Sequence, residues 1–288
     1  MRSNGIIQLL VLFMLGLSLD SCIYDKYPGR EQYALAVEFV DSLGNQLDNS
    51  VATLDRVGCF INNIYRDYLV KEADGKYCYV SGADEDVAFV AVAGKVPEEY
   101  TLIPPTAGTS IHNCWLQMIL PAGAPTPEPS PIFYGCAYTQ IHGGDKSHVI
   151  IRMKDVRARV CVWAKNLVAK FGDGNYRVMI ENCPTGIAYD GSSSGTLASY
   201  ELPGQRYGRA DYKTLSRYIL PTGEMPLHVK IYREDGLLLF ECDKDEQGNP
   251  ISVKAGSNNV IVVQFDDANE ITIKVVPFEE IGNETLFP

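Results

Sequence analysis

The sequence has no basic block, only two tryptophans and four histidines, and no second apolar run as long as the one at its start. Lys and Arg total 25 against 36 Asp and Glu, a net charge of −11. An acidic chain without clustered positive charge is a poor match for nucleic acid or for anionic lipid surfaces. No Cys-x-x-Cys pair occurs. His112, His142, His148 and His228 are scattered, with neither His-Glu-x-x-His nor zinc-ligand spacing. No glycine-rich phosphate loop is present. No metal, no cofactor and no catalytic residue are therefore expected.

Two strings come near a catalytic or metal motif and fail on context. Gly191-Ser192-Ser193-Ser194-Gly195 matches the nucleophile-elbow string. That chemistry needs a strand before the serine and a helix after it, whereas this serine sits in a Ser/Gly loop. Asp243, Asp245 and Gly248 hint at a calcium loop, but the position that should supply a bidentate Glu is Lys254. A solvated hairpin turn accounts for it better.

What the chain does have begins at residue 1. Arg2 precedes an apolar run from Ile6 to Leu19, followed by Asp20-Ser21-Cys22. The run is too short to cross about 30 Å of hydrocarbon as a helix. It has the length of a secretory-signal core, with the small Ser21 just ahead of the cut. A cysteine at the first mature position is the acceptor for a diacylglyceryl group in bacterial lipoproteins. Cleavage between Ser21 and Cys22, with lipidation of Cys22, is expected. The alternatives are an ordinary secretory signal with a chance cysteine, or a short anchor helix. Several acyl chains, at about 0.8 kcal/mol per buried CH₂, would make release negligible.

With Cys22 assigned to lipid, Cys59, Cys78, Cys114, Cys136, Cys161, Cys183 and Cys242 remain. Their number is odd, and a chain this long builds a core without staples. The simpler reading is cysteine as a small buried hydrophobe.

The rest reads as strands and turns. A polar tether leads into a strand over 33–40. Val57 to Ile64, Val87 to Val92 and Ile111 to Leu120 are further apolar stretches, and Asp74-Gly75 marks a hairpin turn. Five prolines in 121–131 exclude core structure there, since each lacks a backbone donor. His148 to Lys165 reads as one long two-part strand. In it Val156, Ala158, Val160, Val162 and Ala164 form a buried face, and Arg157, Arg159, Cys161, Trp163 and Lys165 the other. Ile271, Ile273 and Val275 alternate with Thr272, Lys274 and Val276 in the last strand. Short helices are expected only over 65–73 and 210–218. Many short strands with regular turn signals indicate an all-β chain.

Several stretches, in order along the chain, resemble the FimB-like fimbrial anchors of Bacteroidales, within the fimbrillin-type lipoproteins. They are Ser21-Cys22-Ile23-Tyr24-Asp25, the strand 54–61, the buried strand 87–94 ending in Ala-Gly, Ile132-Phe133-Tyr134-Gly135, and the strand 156–162. The resemblance implies two tandem transthyretin-like β-sandwich domains after a lipoprotein signal peptide. The expected division is 1–21 signal peptide, 22–32 lipidated tether, 33–143 N-terminal sandwich and 144–288 C-terminal sandwich, the last boundary placed where Gly143-Gly144 breaks the strand pattern.

The resemblance also implies a lipid-anchored, surface-exposed position on the cell outer membrane. The role it implies is anchor or accessory subunit of a fimbrium, structural and not enzymatic. The expected partner is a fimbrial shaft subunit, joined by β-strand addition; the membrane is reached through the N-terminal lipid. Shaft subunits of this kind are expected to lose an N-terminal segment after an arginine. In the mature chain the only arginine ahead of the first strand is Arg30. A cut there would free the body from its lipid and leave the first strand in place, which favours an uncut anchor. Ile271, Ile273 and Val275 are the candidate subunit contacts; the alternative is that they only close the second sandwich. The alternative function is a glycan-binding surface lipoprotein of a polysaccharide-uptake system.

Overall fold

Val87 to Ala93 is apolar without a break, a pattern that suits a strand buried on both faces. The computed structural model gives it two faces to bury. It describes residues 31–41, 43–48, 54–72, 76–81, 84–94, 98–102, 105–113, 115–142, 148–266 and 271–277. The first strands are β1 (Glu31–Phe39), β2 (Leu54–Ile61), β3 (Ile64–Tyr68), β4 (Tyr77–Ser81), β5 (Glu85–Gly94), β6 (Tyr100–Leu102), β7 (Trp115–Met118), β8 (Ile132–Ile141) and β9 (His148–Asp155). Then follow β10 (Ala158–Lys165), the short helix α1 (Leu167–Phe171), β11 (Tyr176–Ala188), β12 (Ser193–Leu202), β13 (Gly204–Tyr207), β14 (Asp211–Thr214), β15 (Arg217–Ile219), β16 (His228–Arg233), β17 (Leu238–Cys242), β18 (Asn258–Phe265) and β19 (Ile271–Pro277).

Seven strands form one path, β3-β2-β5-β8-β9-β1-β4. Its middle joint is narrow, since β8 and β9 pair only at Phe133–Asp155 and Tyr134–Lys154. Beyond it the path folds into two facing layers. A Cβ on Gly135 would lie 2.6 Å from the Arg152 carbonyl oxygen, so only glycine lets the backbones approach at this corner. Phe39 meets Phe133 edge-on at 5.3 Å, and Tyr79 meets Phe89 at 5.4 Å, each pair crossing between layers. Leu35, Val57, Phe89, Ile151 and Met153 complete this core.

The second sandwich has a layer β13-β14-β10-β18-β19, with β15 also on β10. The facing layer is β17-β16-β11-β7-β6, with β12 also on β11. Val160, Val162, Ile180, Val229, Ile261 and Val263 fill the space between. The chain is all-β with two β-sandwich units, as expected.

The expected boundary at 143/144 does not follow the strand pairing. Strand β9 pairs in parallel with β1 in the first unit. Strands β6 and β7, from the sequence before 143, join β11 in the second unit. The proline-rich stretch is the return strap between them. It is held by Tyr218 N–H donating to Glu128 (2.8 Å), Arg157 to the Pro129 carbonyl (3.1 Å) and Tyr100 to the Ser130 carbonyl (2.7 Å). The 148–165 stretch is accordingly two strands in different units.

Interleaving creates a third core between the units. Phe60, Ala88, Val90, Val92 and Ile132 cover one side, from the outer face of the β2-β5-β8 layer. Tyr100, Ile111, Leu116, Met118, Ile187 and Tyr189 cover the other. Phe60 packs edge-on against Tyr65 (5.5 Å) and Tyr189 (5.9 Å). A Cβ on Gly186 would meet the Leu116 carbonyl oxygen at 2.7 Å, so glycine allows β7 to approach β11.

Three further expectations change. Residues 64–68 are strand, not helix, because Asn62 and Asn63 both adopt positive φ (50° and 63°) and close a tight hairpin. Residues 211–214 and 217–219 are likewise strands, the first turned back on β13 at Gly208. The outer face of β10 is not solvated at its centre. Cys161 and Trp163 are buried there with Val260. Lys213, fully buried, lies over the rings of Trp163 (4.6 Å) and Tyr207 (4.7 Å), where cation–π attraction offsets part of its desolvation.

Cys59, Cys136, Cys161, Cys183 and Cys242 are free thiols, Cys59, Cys161 and Cys183 among them buried, and Cys78 is half-buried on β4; Cys114 lies outside the described residues. Burial pushes the Cys59 thiol up to about 12 and that of Cys161 up to about 11. In the unfolded chain these thiols ionise near their ordinary value of about 8.5. The folded state then holds more protons, so stability is full below about pH 8.5 and falls as pH rises toward the folded values. Each buried thiol contributes a loss of about 1.4 kcal/mol per pH unit in that window. Urea midpoints measured from pH 7 to 10.5 should stay level to about pH 8.5 and then fall. A midpoint unchanged at pH 10.5 would contradict this burial.

Candidate subunit-contact site

The sequence singled out Ile271, Ile273 and Val275, and the structure separates their roles. Strand β19 pairs antiparallel with β18 over its whole length, from Phe265–Ile271 to Asn259–Pro277. Side chains alternate across a strand, so these three share the face toward the sandwich interior. Ile273 is buried in the second core, and Val275 packs against its margin. Ile271 is 39% exposed. On the opposite face Val276 packs against the Cys161–Trp163–Val260 cluster. Ile273 and Val275 therefore close the second sandwich, whereas Ile271 presents apolar surface at the strand's start.

Strand β19 is the last strand of its layer, with β18 on one side only among the described residues. Backbone groups on the far side of such an edge can pair with an added strand. Here the edge is partly occupied. The Glu246 N–H donates to the Ile273 carbonyl (3.0 Å), and the Glu246 carboxylate pairs with Lys274 (3.2 Å). The 245–249 turn holds Glu246 in place. The Asp245 carboxylate accepts from the N–H groups of Gln247 (2.9 Å) and Asn249 (2.8 Å). Desolvation opposes ionisation of Asp245, but those bonds prevail and keep its pKa below the usual carboxylate value. This is what the string resembling a calcium loop does. The sequence reading found the turn and missed its contact with β19, because nothing local to Glu246 signals a partner so distant in the chain.

At the other end of the chain β1 lies between β4 and β9, paired with both. Leu35 and Phe39 anchor it in the first core. Ser21, Cys22 and Arg30 lie outside the described residues, as does the Asp74-Gly75 turn.

The serine string has no elbow geometry. Ser193 donates to the Pro221 carbonyl (2.6 Å) and Ser192 to Asp190 (2.6 Å), and strand β12 follows instead of a helix. Among the described residues no group of three or more His, Cys, Asp or Glu gathers to hold a metal. Trp163, nearly buried and donating to Asp211 (2.9 Å), offers no open ring face.

No protein-family model matches the sequence, and no curated protein matches it significantly. Solved structures do match. The fimbrial anchor protein Mfa2 from Porphyromonas gingivalis is 13% identical, with a TM-score of 0.56, over 86% of this chain and 98% of that one. A candidate polysaccharide-binding protein from Bacteroides thetaiotaomicron is 13% identical, with a TM-score of 0.59, over 87% and 99%. A candidate adhesin from Bacteroides ovatus is 10% identical, with a TM-score of 0.53, over 86% and 94%. The chain has their fold. The likeness covers 86–87% of this chain and so extends over both sandwiches.

The division of labour within β19 is testable by denaturant unfolding. Ile273→Ala should cost about 2–4 kcal/mol, as for other buried isoleucines. Ile271→Ala should stay within about 0.5 kcal/mol. Equal costs at the two positions would refute the assignment of Ile273 to the core and Ile271 to the surface.

Proposed function

We propose that the chain is an outer-membrane lipoprotein that serves as anchor or accessory subunit of a fimbrium. The observation that carries this reading is the fold shared with a fimbrial anchor protein over nearly all of both chains. The N-terminal signal ending in Ser21-Cys22 supports it from the other side, since an anchor needs an attachment to the cell. In this reading Cys22 carries the lipid and 22–32 is the tether.

The placement of β1 agrees with an uncut anchor. A strand paired on both sides and rooted by Leu35 and Phe39 is costly to remove. Each ladder hydrogen bond contributes about 1 kcal/mol net, and each large apolar side chain about 1.5–3 kcal/mol. The partner is then the shaft subunit, met by β-strand addition, with main-chain bonds giving affinity and alternate side chains giving register. The contact starts from Ile271 and continues into the C-terminal segment, and Glu246 guards the edge of β19 until a partner arrives.

One observation favours a second reading, a glycan-binding surface lipoprotein. A candidate polysaccharide-binding protein shares the fold at the same identity. The two roles are compatible on one cell-surface chain.

Two experiments test the anchor. Cys22→Ala should release fimbriae into the medium, scored by immunoblot of cell and supernatant fractions; fimbriae that stay with the cells would contradict it. Removing residues 277–288 should abolish co-purification with the shaft subunit, and unchanged co-purification would eliminate the C-terminal segment as the contact.

A further inference from the structure

We infer that a groove at the open end of the β2-β5-β8 layer binds neutral hexose-based glycans, with Tyr138 as the stacking surface and Asn62, Asn63, Asp86 and Gln140 as the polar clamp. This inference rests on the glycan-binding reading and gives it a site. The groove is open to solvent and has a volume of about 490 Å³, within the range of about 300–1,000 Å³ for small-ligand sites.

Its form follows from strand register. Ala88 pairs with Tyr138 and Asp86 with Gln140, while Phe60 of β2 pairs with Ala88 from the other side. Alternation puts Asp86, Ala88, Tyr138 and Gln140 on one face of the sheet. It is the face that the third core covers further along, where Ala88 and Val90 enter that core. Beyond that cover the same face opens. Ala88, nearly buried, lies at the floor beside Tyr138, and the lining beyond it becomes polar.

Tyr138 is 64% exposed, a large ring left in solvent on the wall of a concave site. An aromatic face pairs with the C–H face of a sugar, and its hydroxyl stays wet. The rim supplies what sugar hydroxyls need. Amide side chains of Asn62, Asn63 and Gln140 both donate and accept, and the Asp86 carboxylate accepts. The asparagines stand on a fixed turn. The Asn62 N–H donates to the Asp86 carbonyl (2.8 Å), and the Ile111 N–H donates to the Asn63 carbonyl (2.8 Å). A rim held in place before binding loses little freedom on binding. Asp86 and the net charge of −11 disfavour acidic sugars, which selects neutral ones.

Saturation-transfer NMR on the full chain, with lactose, cellotetraose, maltotetraose and mannotetraose as probes, tests the site. Transfer to ring C–H protons of at least one probe is expected, and both Tyr138→Ala and Asp86→Ala should weaken that binding by about 10-fold or more. Their circular-dichroism melts should match the parent, since both side chains are exposed. Transfer that survives unchanged in the two variants would overturn this site while leaving the glycan reading standing. No transfer from the parent chain to any of the four probes would overturn both.

Discussion

The packing of Phe60, backed by Tyr65 of its own unit, against Tyr189 holds the two halves of this molecule together. Phe60 projects from the first sandwich, and Tyr189 follows the last strand residue of β11 in the second. Around them Val90, Val92, Leu116, Met118 and Ile187 exclude water from a core that belongs to neither unit alone. Two sandwiches joined by a bare linker would move independently, as small polar inter-domain contacts allow. A contiguous apolar core makes separation expose large side chains, each contributing about 1.5–3 kcal/mol when buried.

That weld is produced by the path of the chain. Strands β6 and β7 leave the first unit, pair with β11 and return along the proline-rich strap to β8. The prolines serve the strap because they need no backbone partner, while neighbouring carbonyls and Glu128 accept bonds from Tyr100, Arg157 and Tyr218. An anchor of the kind proposed, tethered at its N-terminus and loaded near its C-terminal strand, would carry tension through the whole body. Interleaved strands and a shared core route that tension through many hydrogen bonds and side chains together.

Much of this was legible in sequence where local pattern and burial agree. The apolar run Val87 to Val92 marks a buried strand, and the alternation at Ile271, Ile273 and Val275 marks the last strand. Pattern failed where partners are distant. Residues 65–73 read as a short helix from local pattern, although the Asn62-Asn63 pair ahead of them is itself a hairpin-turn signal. The alternation in 156–165 groups Cys161 and Trp163 with Arg157 and Lys165, and no local feature signals that Tyr207 and Val260 cover them. The boundary at 143/144 followed a Gly-Gly break, whereas strand exchange between units is set by pairings between segments far apart in sequence. Of the candidate contact site, the strand was readable; the Glu246 contact on its edge was not.

The account depends on the two sandwiches behaving as one body. Native-state hydrogen exchange measures this most directly, through the opening free energies of the amides of the fully buried Ile151 in the first core and Val162 in the second. One body predicts that both amides exchange only through global unfolding, with the same free energy and the same dependence on denaturant. Two distinct values, with one unit opening while the other stays protected, would contradict a shared core.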